Sequence, residues 1–168
     1  KNIIFNGNGY DDSWIKEATE KRGLLNYRTT PDCMPHLLDK KNVDMLTAHG
    51  VYSKAELESR CEIMLENYCK TVVIEANTMV SMAKRQIAPA VEAYAADVAK
   101  SAAAKKALDQ TLACGYETGL VRKLSVLTDR IALKADELQD ALLALHNAED
   151  IEAESYMIRD TVLNLMGE

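Results

Sequence analysis

The sequence predicts an all-α protein: an antiparallel bundle of long helices, preceded by short helices and a strand-like stump at the N-terminus. Three observations carry this. Apolar residues recur at steps of three and four over two long stretches, beginning near residues 53 and 120. Between them, residues 88–107 hold ten Ala, a composition that favours helix and lets helix axes approach closely. Only Ile3, Ile4 and Phe5 form a convincing strand-like run, which meets two Asn-Gly steps and has no partner strand downstream.

The N-terminal elements are set by caps and breakers. Residues 1–10 read as the remnant of a sheet that lies upstream, so the chain is expected to be a segment of a larger protein. Asp11, Asp12 and Ser13 can cap a first helix over about 14–22, which Gly23 ends in a left-handed conformation. Thr30 before Pro31 repeats the start signal and predicts a short helix over 31–40, with Pro35 in or near its first turn. A further short helix over 42–49 is closed by Gly50.

From Ser53 the character changes. Ser53 and Glu56 form a capping box at the head of a long periodic run. Leu57, Cys61, Met64, Tyr68, Thr71, Met79 and Met82 recur at helical spacing, and Ile63, Val72, Val73 and Ile74 fill adjacent faces. A helix apolar over more than one stripe is expected to lie between other helices. Pro89 removes a donor and crowds the preceding turn, so a kink or break is expected near Ile87. Gly115 and Gly119 mark the next weak point.

Beyond it, Leu120, Leu124, Leu127, Ile131, Lys134, Leu138, Ala141 and Leu145 alternate steps of four and three. This is a coiled-coil period interrupted only by Lys134. Val121, Val126, Leu133, Leu142 and Leu143 broaden the apolar face, which favours a bundle over a free dimeric zipper. His146-Asn147 reads as a turn, and Ile151, Ile158, Val162 and Leu165 give a last amphipathic helix. Residues 1–168 are therefore expected to form one helical domain, with short helices over 11–52 and the long bundle over 53–168.

Charge and composition exclude several functions. With 20 Lys and Arg against 26 Asp and Glu, the formal net charge is −6, which disfavours non-specific nucleic-acid binding. No apolar run approaches the roughly 20 residues that cross a bilayer, and no signal peptide opens the chain. A cytoplasmic protein without membrane or nucleic-acid partners is expected. Cys33, Cys61, Cys69 and Cys114 lack CxxC pairing and are expected to be reduced and buried.

No motif amounts to a catalytic, cofactor-binding or metal site. Gly7-Asn8-Gly9 lacks the third Gly of a dinucleotide loop and the Gly-Lys-Ser/Thr of a P-loop, so a turn is the better reading. Cys33 and His36 stand three apart, but no second pair completes a four-ligand zinc set. Glu66 and Glu75 fall in an apolar helix, where one could be buried against Lys70, Lys84 or Arg85; without a pocket or partner His they read better as solvated or salt-bridged than as acid–base groups. Met64, Met79 and Met82 are expected to fill core gaps.

Several blocks together resemble one family. Phe5-Asn6-Gly7-Asn8-Gly9-Tyr10, Trp14-Ile15-Lys16-Glu17-Ala18 with Lys21-Arg22-Gly23-Leu24, Thr29-Thr30-Pro31-Asp32, and Glu62-Ile63-Met64-Leu65-Glu66-Asn67-Tyr68-Cys69-Lys70 occur in the order found in the C-terminal region of type III glutamine synthetase. The resemblance continues more loosely through the Ala-rich and Leu-rich helices. It implies a parent enzyme that ligates ammonia to glutamate with ATP and magnesium, through a phosphorylated glutamate, and assembles as stacked rings. It also implies that the catalytic residues and ligands lie before Lys1, leaving this chain a helical extension that is inactive alone. Its partners would be the upstream catalytic domain and other subunits of a homo-oligomer. The alternative is a helical interaction module of a non-catalytic protein.

Overall fold

The computed structural model describes residues 7–168, and every regular element among them is helical. The strand-like run at 3–5 lies outside the described residues. The chain divides into two compact units, Lys1–Cys61 and Glu62–Glu168.

In the first unit, α1 (Asp12–Lys16) passes into a π turn, Glu17–Lys21. Gly23 then takes φ +66°, a conformation that L side chains resist, so the amide of Leu24 returns to the Ala18 carbonyl at 2.9 Å. Arg22 reaches back to Glu17 Oε1 at 2.7 Å and lies over the Trp14 ring, 5.3 Å from its centroid. The cap of α2 (Thr30–Cys33) is Thr29, whose Oγ1 accepts from the Asp32 amide at 3.3 Å. The helix expected to run through residue 40 instead tightens into a 3₁₀ segment, Met34–Leu38. Pro35 explains the change, because it has no N–H to offer the carbonyl four residues back. Asp39 breaks the run, and α3 (Lys40–Ala48) ends at Gly50 with φ +64°.

The next helix, α4 (Lys54–Met82), opens with the expected reciprocal box. The Ser53 amide donates to Glu56 Oε2 at 2.7 Å, and the Glu56 amide donates to Ser53 Oγ at 3.3 Å. The Ser53 amide, and next the Ser53 hydroxyl that donates to the same oxygen at 2.9 Å, hold the Glu56 carboxyl below its ordinary pKa. One stripe of α4 is buried: Leu57, Cys61, Leu65, Cys69, Val72, Ala76 and Val80. The broad burial expected on several faces is not found. Ile63, Met64, Ile74, Met79 and Met82 are exposed, because the neighbours of α4 cover one side of the cylinder.

In the second unit α4 does not stop before Pro89. A π turn, Ala83–Ile87, carries the helix directly into α5 (Ala88–Leu108), with Pro89 at the second position of α5. The irregularity expected near Ile87 as a kink or break takes the form of this wider turn, which absorbs the crowding and the missing donor without ending the helix. After a loop at 109–114, α6 (Gly115–Ala144) returns antiparallel along α5 and the π turn. Gly115 opens this helix and Gly119 sits within its first turns, so neither interrupts it.

A 3₁₀ turn, Leu145–Asn147, redirects the chain at the expected place. Asp150 caps α7 (Ile151–Met157) by accepting from the Ala153 amide at 2.8 Å. A π turn, Ile158–Val162, joins α7 to α8 (Leu163–Gly167), so 151–167 acts as one amphipathic rod. The core forms where this rod meets α4 and α6: Cys69, Val72, Ala76 and Val80 from α4, Leu138 and Leu145 from the α6 side, and Ile158 and Val162 from the rod. No helix among the described residues is long and apolar enough to cross a membrane.

Candidate functional site

Two of the concave surfaces of the long-helix unit lie between α4 and α6. The first is an apolar groove of about 330 Å³, with Met79 and Ala83 on one wall, Leu127 and Ile131 on the other, and Leu165 and Met166 at one end. Its floor is the buried set Val80, Ala135 and Leu138. The second is a wider cleft of about 960 Å³ on the other side of α6, where Asn77, Ser81 and Arg85 face Gln139, His146 and Glu154.

Polar side chains hold these walls in place. Lys84 crosses from the π turn to α6, donating to Gln139 Oε1 at 2.6 Å and pairing with Asp136. At the groove, Lys134 donates to Glu137 Oε2 at 2.8 Å and pairs with Glu168. Those two hydrogen bonds, Glu137 first, raise the Lys134 pKa, while the bond from Lys134 holds the Glu168 carboxyl low. Lys134 is thus the one polar member of the seam because it clamps the end of the C-terminal rod to α6. At the other end of α6, buried Glu117 accepts from Lys105 of α5. The hydrogen bond and charge of that partner depress the Glu117 pKa and raise that of Lys105, closing the α5–α6 hairpin near its loop.

The residues singled out from sequence do not converge. Gly7-Asn8-Gly9 forms a turn in which Asn8 Oδ1 accepts from the Tyr10 amide at 3.1 Å and Asn8 Nδ2 donates to Asp11 Oδ1 at 2.7 Å. Cys33 is exposed and not buried, because Pro31, on the opposite face of the short α2, takes the interior position. His36 stacks on Tyr27 with ring centroids 4.2 Å apart and bonds Asp39 Oδ2 at 3.1 Å. Among the described residues no three His, Cys, Asp or Glu side chains stand close enough to share a metal ion.

Glu66 and Glu75 are both exposed, so neither is the buried carboxylate allowed for; Glu66 pairs with Lys70 at 2.6 Å. Met64, Met79 and Met82 fill no core gap, since the buried stripe runs through Leu65, Val72 and Val80 instead. All four cysteines are free; Cys61 and Cys69 are buried, and Cys114 is half-buried. Burial pushes the Cys69 thiol up to about 11, which leaves it protonated and inert near neutrality.

Sequence reasoning missed the groove, although a signal was available. The seam from 120 to 145 would extend roughly 38 Å as a helix, whereas a rod over 151–167 extends only about 25 Å. The rod cannot cover the whole seam, and Leu127 and Ile131 stay exposed.

Comparison with known proteins places the chain among relatives. The model of the glutamine synthetase C-terminal domain matches residues 1–106. The chain is 38% identical over 169 aligned positions to a glutamine synthetase of Butyrivibrio fibrisolvens, covering 100% of this chain and 24% of that protein. It is 36% identical over 99 positions to a type-3 glutamine synthetase of Dictyostelium discoideum, covering 59% of the chain and 13% of that protein. A glutamine synthetase of Bacteroides fragilis is 23% identical across 95% of the chain, which is 22% of its own length. The chain thus spans a quarter or less of the length of these relatives.

Proposed function

The chain belongs to the glutamine synthetase C-terminal domain family, and from that membership we propose that it is the helical C-terminal part of a type III glutamine synthetase. The parent would be an ATP-dependent ligase joining ammonia to glutamate, cytoplasmic and homo-oligomeric. Within it this chain supports the catalytic domain or the assembly of subunits and supplies no reacting group. ATP and magnesium belong, in this reading, to the upstream catalytic domain.

The observation that carries the proposal is identity to a glutamine synthetase along the whole chain. The residues fit a supporting role: buried Glu117 of α6 bonds Lys105 of α5, and Lys134 of α6 pairs with Glu168 at the end of the C-terminal rod, as expected of clamps between helices. A helical interaction module of a non-catalytic protein has no comparable observation in its favour.

Two measurements test the reading. The isolated chain, given ATP, glutamate, ammonia and magnesium, should release phosphate only at background; turnover on the order of 1 per second would overturn the division of labour. In the full-length protein, Leu138→Ala should reduce subunit assembly or soluble yield before it changes the KM for glutamate or ATP. The reverse pattern, intact assembly with sharply raised KM, would place the domain in substrate binding.

A further inference from the structure

Of the two Asn-Gly steps in the chain, Asn6-Gly7 and Asn8-Gly9, the second lies wholly within the described residues, and Asn8, Gly9, Tyr10 and Asp11 are all exposed. Three hydrogen bonds fold these four residues into a turn ahead of α1. The Asp11 amide donates to the Asn8 carbonyl at 3.3 Å, the Tyr10 amide to Asn8 Oδ1 at 3.1 Å, and Asn8 Nδ2 to Asp11 Oδ1 at 2.7 Å. The Asp11 carbonyl in turn accepts from the Trp14 amide at 2.9 Å, so Asp11 opens α1. The side-chain amide of Asn8 thus ties the turn to the first helix.

The same geometry sets that amide against its own backbone. A side-chain oxygen bonded to the amide two residues ahead carries Cγ forward along the chain, beside the intervening nitrogen of Gly9. Nothing shields this nitrogen. Gly9 has no side chain, the space where its Cβ would stand is open to 4 Å, and among the described residues its amide makes no hydrogen bond. The two bonds that hold the Asn8 side chain are exposed, where exchange with water costs only about 0.5–1.5 kcal/mol each. They shape the turn without barring an attack on Cγ. Asn67 and Asn77 stand in contrast, inside α4 and followed by Tyr68 and Thr78, where the helical backbone nitrogens are committed to carbonyls one turn back.

We propose that Asn8 is a site of self-modification by deamidation. The Gly9 nitrogen bonds to Asn8 Cγ, the Cγ–Nδ2 bond breaks, and Nδ2 leaves as ammonia with the proton lost by the Gly9 amide, closing a five-membered imide. Water then opens the ring. Opening at Cγ gives Asp in an ordinary chain, and opening at the Asn8 main-chain carbonyl gives isoAsp, with the chain routed through Cγ. No oxidant or reductant is needed. Either product exchanges the donor Nδ2 for carboxylate charge close to the Asp11 carboxylate, where like charges repel, so the 2.7 Å bond is lost and the turn ahead of α1 loosens. The inference stands independently of the ligase reading.

The test incubates the full-length protein at pH 6 and at pH 9 and maps the peptide spanning residues 2–16 by mass spectrometry, with an isoAsp-specific methyltransferase distinguishing the two products. Asp and isoAsp should accumulate at residue 8, faster at pH 9 because the attacking amide must lose its proton, while Asn67 and Asn77 stay intact. Gly9→Ala should slow the conversion at residue 8 roughly tenfold or more. That variant is expected to fold normally, since Gly9 has open space for a methyl group and no positive φ. Asn8→Asp makes the loss of the donor permanent and should speed hydrogen exchange of the Asp11 amide. Residue 8 remaining Asn at pH 9, conversion there no faster than at Asn67 or Asn77, a rate indifferent to Gly9→Ala, or Asp11 exchange unchanged by Asn8→Asp would each overturn the proposal.

Discussion

Truncating Leu138 and truncating Leu127 should have unequal consequences, although both occupy the same sequence seam. Leu138 is 2% exposed and belongs to the core shared with Val80, Ile158 and Val162. Removing three buried carbons there leaves a cavity beneath the groove floor, and Leu→Ala changes at buried sites cost about 2–5 kcal/mol. A value near 3 kcal/mol suits a site bordered by well-ordered helices. Leu127, at 42% exposed, faces an open groove. It keeps little more than half of the roughly 1.5–3 kcal/mol that full burial of a Leu contributes, and solvent fills the space it vacates, so about 1 kcal/mol is expected.

At about 2–4 °C per kcal/mol for a chain of this size, Leu138→Ala should lower the Tm by roughly 6–12 °C and Leu127→Ala by roughly 2–4 °C. Urea denaturation followed by far-ultraviolet circular dichroism checks the free energies directly, provided the dependence on denaturant is the same in all variants. A Leu127→Ala loss equal to or above that of Leu138→Ala would refute the unequal burial of the two positions.

The other predictions address local chemistry. Cys33 should react fastest with a thiol reagent at pH 8 and Cys69 slowest, because Cys69 is buried and its pKa is pushed up to about 11; labelling of both at one rate in the folded protein would contradict the burial. Glu117→Gln should destabilise the protein at pH 7. The folded-state pKa of Glu117 lies below its ordinary value, so the Lys105 pair contributes fully above about pH 4.3 and its contribution fades as the pH falls through the lowered pKa. The gap between wild type and variant should therefore close in acid, and a gap that widened below pH 4 would reverse the sign of the argument. Ser53→Ala removes the acceptor of the Glu56 amide and should cost about 1 kcal/mol, read as increased amide exchange in the first turn of α4; unchanged exchange there would mean the box is dispensable.

Read from the sequence alone, the all-α class, the turns at Gly23 and Gly50 and the capping box at Ser53 are set by interactions within a few residues: a missing Cβ permits φ near +65°, and a hydroxyl and a carboxylate three apart satisfy the first free amides of a helix. Family membership was legible for a related reason, since ordered blocks such as those at 5–10 and 62–70 are properties of the chain before it folds. Other features depend on which partner arrives. Several apolar stripes on α4 competed for burial, and only the packing of α6 and the C-terminal rod selected Cys69, Val72, Ala76 and Val80 over Ile74 and Met79. Pro89 ended no helix, because a π turn packed against α6 absorbed it. The seam from 120 to 145 reads as uniform in sequence, yet Leu138 and Leu145 are core while Leu127 and Ile131 stay exposed, because burial is decided by which helix is laid against each position and not by the spacing of the seam's own side chains.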